Sequence, residues 1–140
     1  MALFSWTPAL ATGNALMDAD HHVLVKRVDA VLDAISKQRS NDIVIGAVLN
    51  LLEYTHEHFA REEVQMQRIQ YAGIQEHIAE HAHLLSQVEA LKVQLEVGEQ
   101  IDIMGHYSFL TRWVKDHIML VDVEFAAALN ASLRTLESGQ

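Results

Sequence analysis

The chain holds a single proline, Pro8, so everything after it is free of the residue that a helix interior tolerates least. After an arm that runs to about residue 17, four segments place apolar residues at intervals of three and four. The first spans about Asp18 to Lys37 and carries His21, Leu24, Val25, Val28, Val31, Leu32 and Ile35 on one face. "SKQRSND" then breaks the pattern and offers Ser40 or Asn41 as a cap. The second, from about Asp42 to Ile69, turns Val48, Leu51, Leu52, Thr55, His58, Glu62 and Met66 to one side. A short "QYAG" leads into the third, which reads Ile74, His77, His81, Leu84, Val88, Leu91 and Leu95, with Gly98 as its stop. The fourth, from about Ile101 to Leu136, brings Ile103, His106, Leu110, Trp113, His117 and Leu120 inward. Long amphipathic helices joined by short turns define an all-α, antiparallel, up-down-up-down four-helix bundle over residues 18–136. A non-helical N-terminal arm, residues 1–17, precedes it, and residues 1–140 are expected to form one domain.

Composition narrows the partners. Ten basic against nineteen acidic residues leave a formal charge of -9, which repels phosphate backbones and disfavours nucleic acid. The absence of cysteine excludes disulfides, thiolate zinc fingers and thiol-ligated iron–sulfur clusters. No apolar run approaches the roughly 20 residues of a membrane span, so no membrane partner is expected. The opening "MALFSWTPAL" lacks a basic region followed by a continuous apolar stretch. The expectation is a cytoplasmic protein without a secretory signal.

Nine histidines ask for an explanation by position. A lone histidine on an apolar face is ordinarily a satisfied core residue, and HxxxH or HxxxE on a helix is common by chance. Here His21, His58, Glu62, His77, His81 and His117 all fall on the inner stripes, and Asp122 follows His117 by five residues. A rise of about 1.5 Å per residue brings these positions to one end of an antiparallel bundle. Burying so many polar groups unpaired costs about 1–3 kcal/mol each, and a metal centre supplies the compensation. Imidazole and carboxylate without thiolate suit iron, zinc, manganese or copper. Seven ligands exceed one tetrahedral zinc and suit two ions bridged by carboxylates. The spacing in "HIMLVD" is awkward, because five residues turn an α-helix by about 140°. Asp122 reaches the site only if the helix bends or the acid approaches sideways.

Periodicity separates the His21–His22 doublet. Counting from His22 would turn Lys26, Asp29 and Asp33 inward, whereas counting from His21 turns in only apolar residues. His56 and His83 lie two residues from inner positions and face solvent by the same logic. His106 reads as a polar core residue about 16 Å along the axis from His117, with a role in a tunnel or proton path as the alternative. Trp113 reads as packing beside the site and Phe59 and Met66 read as core, with a second role open to Phe59, helping to keep the pocket dry.

The pieces "GNALMDADHHVLV", "HFAREEVQM", "HIAEH" and "FLTRWVKDHIMLVD", with "FSWTP" in the arm, together resemble the hemerythrin family in its single-domain bacteriohemerythrin form. The resemblance implies two non-haem iron ions joined by a solvent-derived oxo or hydroxo bridge, with O2 as ligand. One iron would take His77, His81 and His117. The other would take His21 and His58 and keep a position open, while Glu62 and Asp122 bridge. Asp20 departs from the family pattern, where Gln commonly precedes the first ligand, and "YAG" stands where Tyr-Pro is frequent.

The function implied is reversible O2 binding for storage, delivery or sensing, without enzymatic turnover. Five neutral imidazoles and only two carboxylates also favour binding over oxidation, since they give little support to high-valent iron. The alternatives are a di-iron redox enzyme, an oxidase or peroxidase, and a redox or O2 signalling module. A chain without an attached transducer region weighs against the last. An O2-consuming enzyme is a candidate recipient, and a monomer is the expected state.

Overall fold

The structure, a computed structural model, describes residues 3–98 and 103–137. All its regular elements are helical: α1 (Ala15–Ser36), α2 (Asn41–Arg68), α3 (Ile74–Glu96), α4 (Ile103–Asp116) and α5 (Val123–Glu137). A π-helical segment, His117–Asp122, joins α4 to α5, so these form one fourth rod. α1 packs on α2 and α4, and α2 on α3. The fold is the expected four-helix bundle. Among the described residues no helix is long and apolar enough to cross a membrane.

α1 begins at Ala15, ahead of the start that apolar spacing suggests, because Asn14 caps it. The Asn14 side chain accepts from the Met17 amide at 3.0 Å and donates to Asn130 of α5 at 2.9 Å. The arm before it contains one 3₁₀ turn, Pro8–Leu10, and is tied to α1 by Asp18 and Asp29. Asp18 accepts from the Thr12 amide and hydroxyl; Asp29 accepts from the amides of Leu3 and Phe4.

Helix ends follow one rule with two residue types. Gly98 takes φ +79° after α3, the glycine stop expected there. After α1 and α2 the same left-handed position is filled by Gln38 (φ 53°) and Gln70 (φ 54°). Amides one residue further on, Arg39 and Tyr71, close back onto the carbonyls of Ala34 and Met66. Ser40 occupies the cap of α2, but its hydroxyl makes no capping bond, and Asn41 reaches instead to the Leu95 carbonyl at 3.3 Å.

The apolar stripes named above are buried on α1, α2 and α3, apart from Ile74, which is half-buried. Ile101 and the side chains of Ile103, Leu120 and Leu136 lie outside the described residues. His106 corrects an expectation: it is half-buried beside a groove between α3 and α4, with Gln87, Gln94 and Phe109, instead of within the core. The buried apolar residues fall into two clusters. The larger includes Leu24, Val28, Leu51, Leu84, Leu110 and Ile118; the smaller comprises Met17, Met66, Phe125, Ala126 and Leu129. On α1, α2 and the fourth rod, the histidines and carboxylates lie between the two.

Candidate metal centre

All seven residues singled out by spacing meet in this layer, each at most 4 % exposed. His21 is fully buried, while its neighbour His22 is exposed and stacks on Trp6 of the arm at 4.0 Å, which resolves the doublet as expected. His56 and His83 are exposed. Trp113 donates from its indole to the Leu84 carbonyl at 3.0 Å and so packs α4 onto α3.

The two carboxylates lie between two groups of imidazoles, each presenting one oxygen to either side. Glu62 Oε1 is 3.0 Å from His81 Nε2, and Oε2 is 3.3 Å from His58 Nε2. Asp122 Oδ1 is 3.0 Å from both His77 and His117 Nε2, and Oδ2 is 2.8 Å from His21 Nε2. Two sets of donor atoms result, one from Glu62, His77, His81, His117 and Asp122, the other from His21, His58, Glu62 and Asp122. Within each set the atoms lie within 4.8 Å of one another. In each of these pairs it is Nε2 that faces inward.

These atoms are close, yet none of the inward Nε2 atoms or the four carboxylate oxygens makes an aligned hydrogen bond within the chain. Groups that point at a common centre and not at each other behave this way. Orphaned buried polar atoms are expensive, and the donor set of nitrogen and oxygen without sulfur suits iron. The residues present therefore fit a pair of ions.

The π-helical segment answers the awkward "HIMLVD" spacing. In a π turn the backbone bonds run from i to i+5, so residues five apart lie above one another, as residues four apart do in an α-helix. His117 and Asp122 thereby face the same way without a bend. The signal was present in the sequence as a conflict between five-residue spacing and α-helical geometry.

Two further carboxylates carried no signal in the spacing. His58 Nδ1 pairs with Asp20 Oδ2 at 2.9 Å, and His81 Nδ1 with Glu63 Oε2 at 2.8 Å. Such partners orient an imidazole and raise its basicity toward a metal. Burial opposes ionisation of Glu62, but His58, His21 and His81 hold its carboxyl well below the usual range. Asp122 is likewise disfavoured by burial and by Glu62, and is held low by His117 and His21. Burial works against charge on His58, yet Glu62 and Asp20 push it up to about 9. Asp20 is held far below its ordinary value, against its own burial, by hydrogen bonds from His58, Arg61 and Tyr54. The layer is built to receive positive charge.

A helical bundle with a bridged pair of histidine–carboxylate sites in its core is, as a class, a di-metal binding protein. Comparison with known proteins narrows this. The family model for the hemerythrin HHE cation binding domain matches residues 12–129, and the chain belongs to the hemerythrin family. It is 30% identical over 133 residues to the bacteriohemerythrin of Methylococcus capsulatus, covering 94% of this chain and 100% of that protein. It is 23% identical to the myohemerythrin of Riftia pachyptila over 126 residues, 90% of this chain and 93% of that one. A crystal structure of wild-type hemerythrin superposes with a TM-score of 0.82 at 27% identity, covering 91% of this chain and 98% of that one. The chemistry of the chain is accordingly O2 binding at a non-haem di-iron centre.

Proposed function

We propose that the chain binds O2 reversibly, to store, deliver or sense it, and that His21, His58, Glu62, His77, His81, His117 and Asp122 are the metal ligands. One iron would be held by His77, His81 and His117 and the other by His21 and His58, with Glu62 and Asp122 offering a carboxylate oxygen to each. The observation that carries this reading is the unequal donor count: five residues converge in one set and four in the other, which leaves the second open to an exogenous ligand. When bound, the ferrous pair supplies the two electrons that O2 binding draws on. The chain's own part is to hold, orient and exclude water. Phe59 lies flat on His81, and Met66 and Phe125 close the layer from the other side. A dry site slows the proton and water access that would turn the iron over to an inactive ferric form. Five neutral imidazoles and two carboxylates also put little negative charge on iron, unlike the carboxylate-rich bundles with paired Glu-x-x-His motifs.

The same proposal takes residues 1–140 as one monomeric domain and an O2-consuming enzyme as recipient. A reducing cytoplasm suits a cysteine-free chain whose working state is ferrous. The test is to load iron, count it per chain, reduce without air and cycle O2 while recording the visible spectrum. Two irons and a band that comes with O2 and leaves under vacuum are expected. Loss of that band to a ferric spectrum within one cycle favours redox turnover, and zinc alone or one iron overturns the ligand set.

A further inference from the structure

The two carboxylates behind the imidazoles are not alike. Glu63 meets His81 alone among the described residues. Asp20 is gripped from three sides. His58 Nδ1 donates to Oδ2 at 2.9 Å, Arg61 donates from Nε to Oδ2 at 3.1 Å and from Nη2 to Oδ1 at 2.9 Å, and the Tyr54 hydroxyl donates to Oδ1 at 2.7 Å. The Arg61 guanidinium also sits 5.4 Å from the Tyr54 ring centroid. A guanidinium forked across a carboxylate is its most strongly held arrangement. Because a carboxylate has no hydrogen to give, the shared proton belongs to Nδ1, which leaves Nε2 of His58 as the donor toward the metal.

An anion behind a ligating imidazole strengthens its donation and favours the higher charge state of the metal. A cation in contact with that anion cancels part of the field. Here the anion is mostly enclosed, 23% exposed, and the compensating cation is half out in solvent, 48% exposed. We propose that Asp20 sets the donor strength of His58, and that Arg61 sets how much of Asp20's charge reaches the iron held by His21 and His58. That arginine then biases the ferrous–ferric balance from the surface. The inference rests on the ligand assignment above and assigns Asp20 and Arg61 as positioning residues.

The test is an anaerobic spectroelectrochemical titration of the iron-loaded proteins, with iron counted per chain. Asp20→Asn keeps an acceptor for Nδ1 and removes the charge. Its ferrous form should gain at least tenfold, about 59 mV upward for a one-electron step. Arg61→Gln leaves Asp20 uncompensated and should move the balance threefold or more the other way. A role confined to holding His58 in place would move both variants in the same direction, through loosened ligation. Opposite shifts carry the proposal, and every other pattern overturns it. If Asp20→Asn does not retain two irons, Arg61→Gln decides alone: a lower potential supports the inference, and an unchanged or raised one overturns it. Parent protein with fewer than two irons overturns the ligand assignment and this inference with it. Variants with the parent's iron count and unshifted potentials overturn this inference alone.

Discussion

Phe59 is the wall on which the dryness of the centre can be tested. Its ring lies against His81 at 3.7 Å and 5° between planes, and its centroid is 5.4 Å from His117 and 5.8 Å from His58. It therefore faces histidines of both donor sets. Removing a buried phenylalanine ring to alanine costs about 3–5 kcal/mol. The upper part of that range is expected, because a ring stack worth about 0.5–1.5 kcal/mol is lost as well. That is a large share of the roughly 5–15 kcal/mol typical of a domain, so Phe59→Leu is the sharper variant, at about 1–2 kcal/mol for the apolar area given up. Either change gives water a path toward His81 and His117. The oxygenated form should decay about tenfold faster in the leucine variant, the effect of about 1.4 kcal/mol on a barrier, and faster still in the alanine variant. The assay follows the O2-dependent band in air-equilibrated buffer after reductant is removed, beside denaturant unfolding at matched iron content. A variant that loses the stated stability while its oxygenated form lasts as long as the parent's would refute the argument, leaving Phe59 as packing alone.

His21→Ala should abolish the second iron, whereas His22→Ala should keep both and lose only the contact with Trp6, about 0.5–1.5 kcal/mol; iron per chain separates them. Gln38→Gly and Gln70→Gly should each stabilise by about 1 kcal/mol, since both replace a side chain held at positive φ, and a higher denaturant midpoint is the sign to look for. Acid should release the iron, because an imidazole must be neutral to ligate, and against their burial the carboxylates of Asp122 and Glu62 make His21 hold its proton more tightly than usual, as Glu62 and Asp20 do for His58; capture by a ferrous chelator should rise as pH falls through about 9. The low-lying carboxyls of Glu62 and Asp122 act in the same direction. Their contribution is complete above the ordinary carboxylate range and is lost only as pH falls through their depressed values, so it fails after the imidazoles do. Iron retention unchanged from about pH 8 to about pH 5 would contradict this ordering.

The bundle and six of the seven converging residues were legible because both follow from periodicity: a face that buries Leu24 and Val28 also buries His21, whereas Asp122 stood against α-helical periodicity and is brought in by the π turn. What periodicity does not encode is contact between helices. Asp20 reaches from α1 to His58 on α2, and Glu63 from α2 to His81 on α3, at distances fixed only once the helices have packed. Asp20 stood out in the sequence as a departure from the family pattern, but its partners did not. Gln38 and Gln70 carry no local mark of a left-handed turn, which glycine would have advertised. His106 misled because helical spacing continues past the depth at which α4 still faces the core, and at that end the stripe looks onto a groove.

The π turn has a consequence for insertions and deletions. It amounts to an α-helix lengthened by one residue without any rotation of the helix beyond it, so α5 keeps its face to Met17 and Met66. Deleting half-exposed Met119 would relax the segment into ordinary helix and leave both halves of the rod in phase. The acid would then come four residues after its histidine, as Glu62 comes after His58, but with a side chain one methylene shorter and no widened turn to advance it. Such a protein should fold and still bridge its ions poorly. At this place the chain can change length without harming the bundle, and only the iron would register the difference.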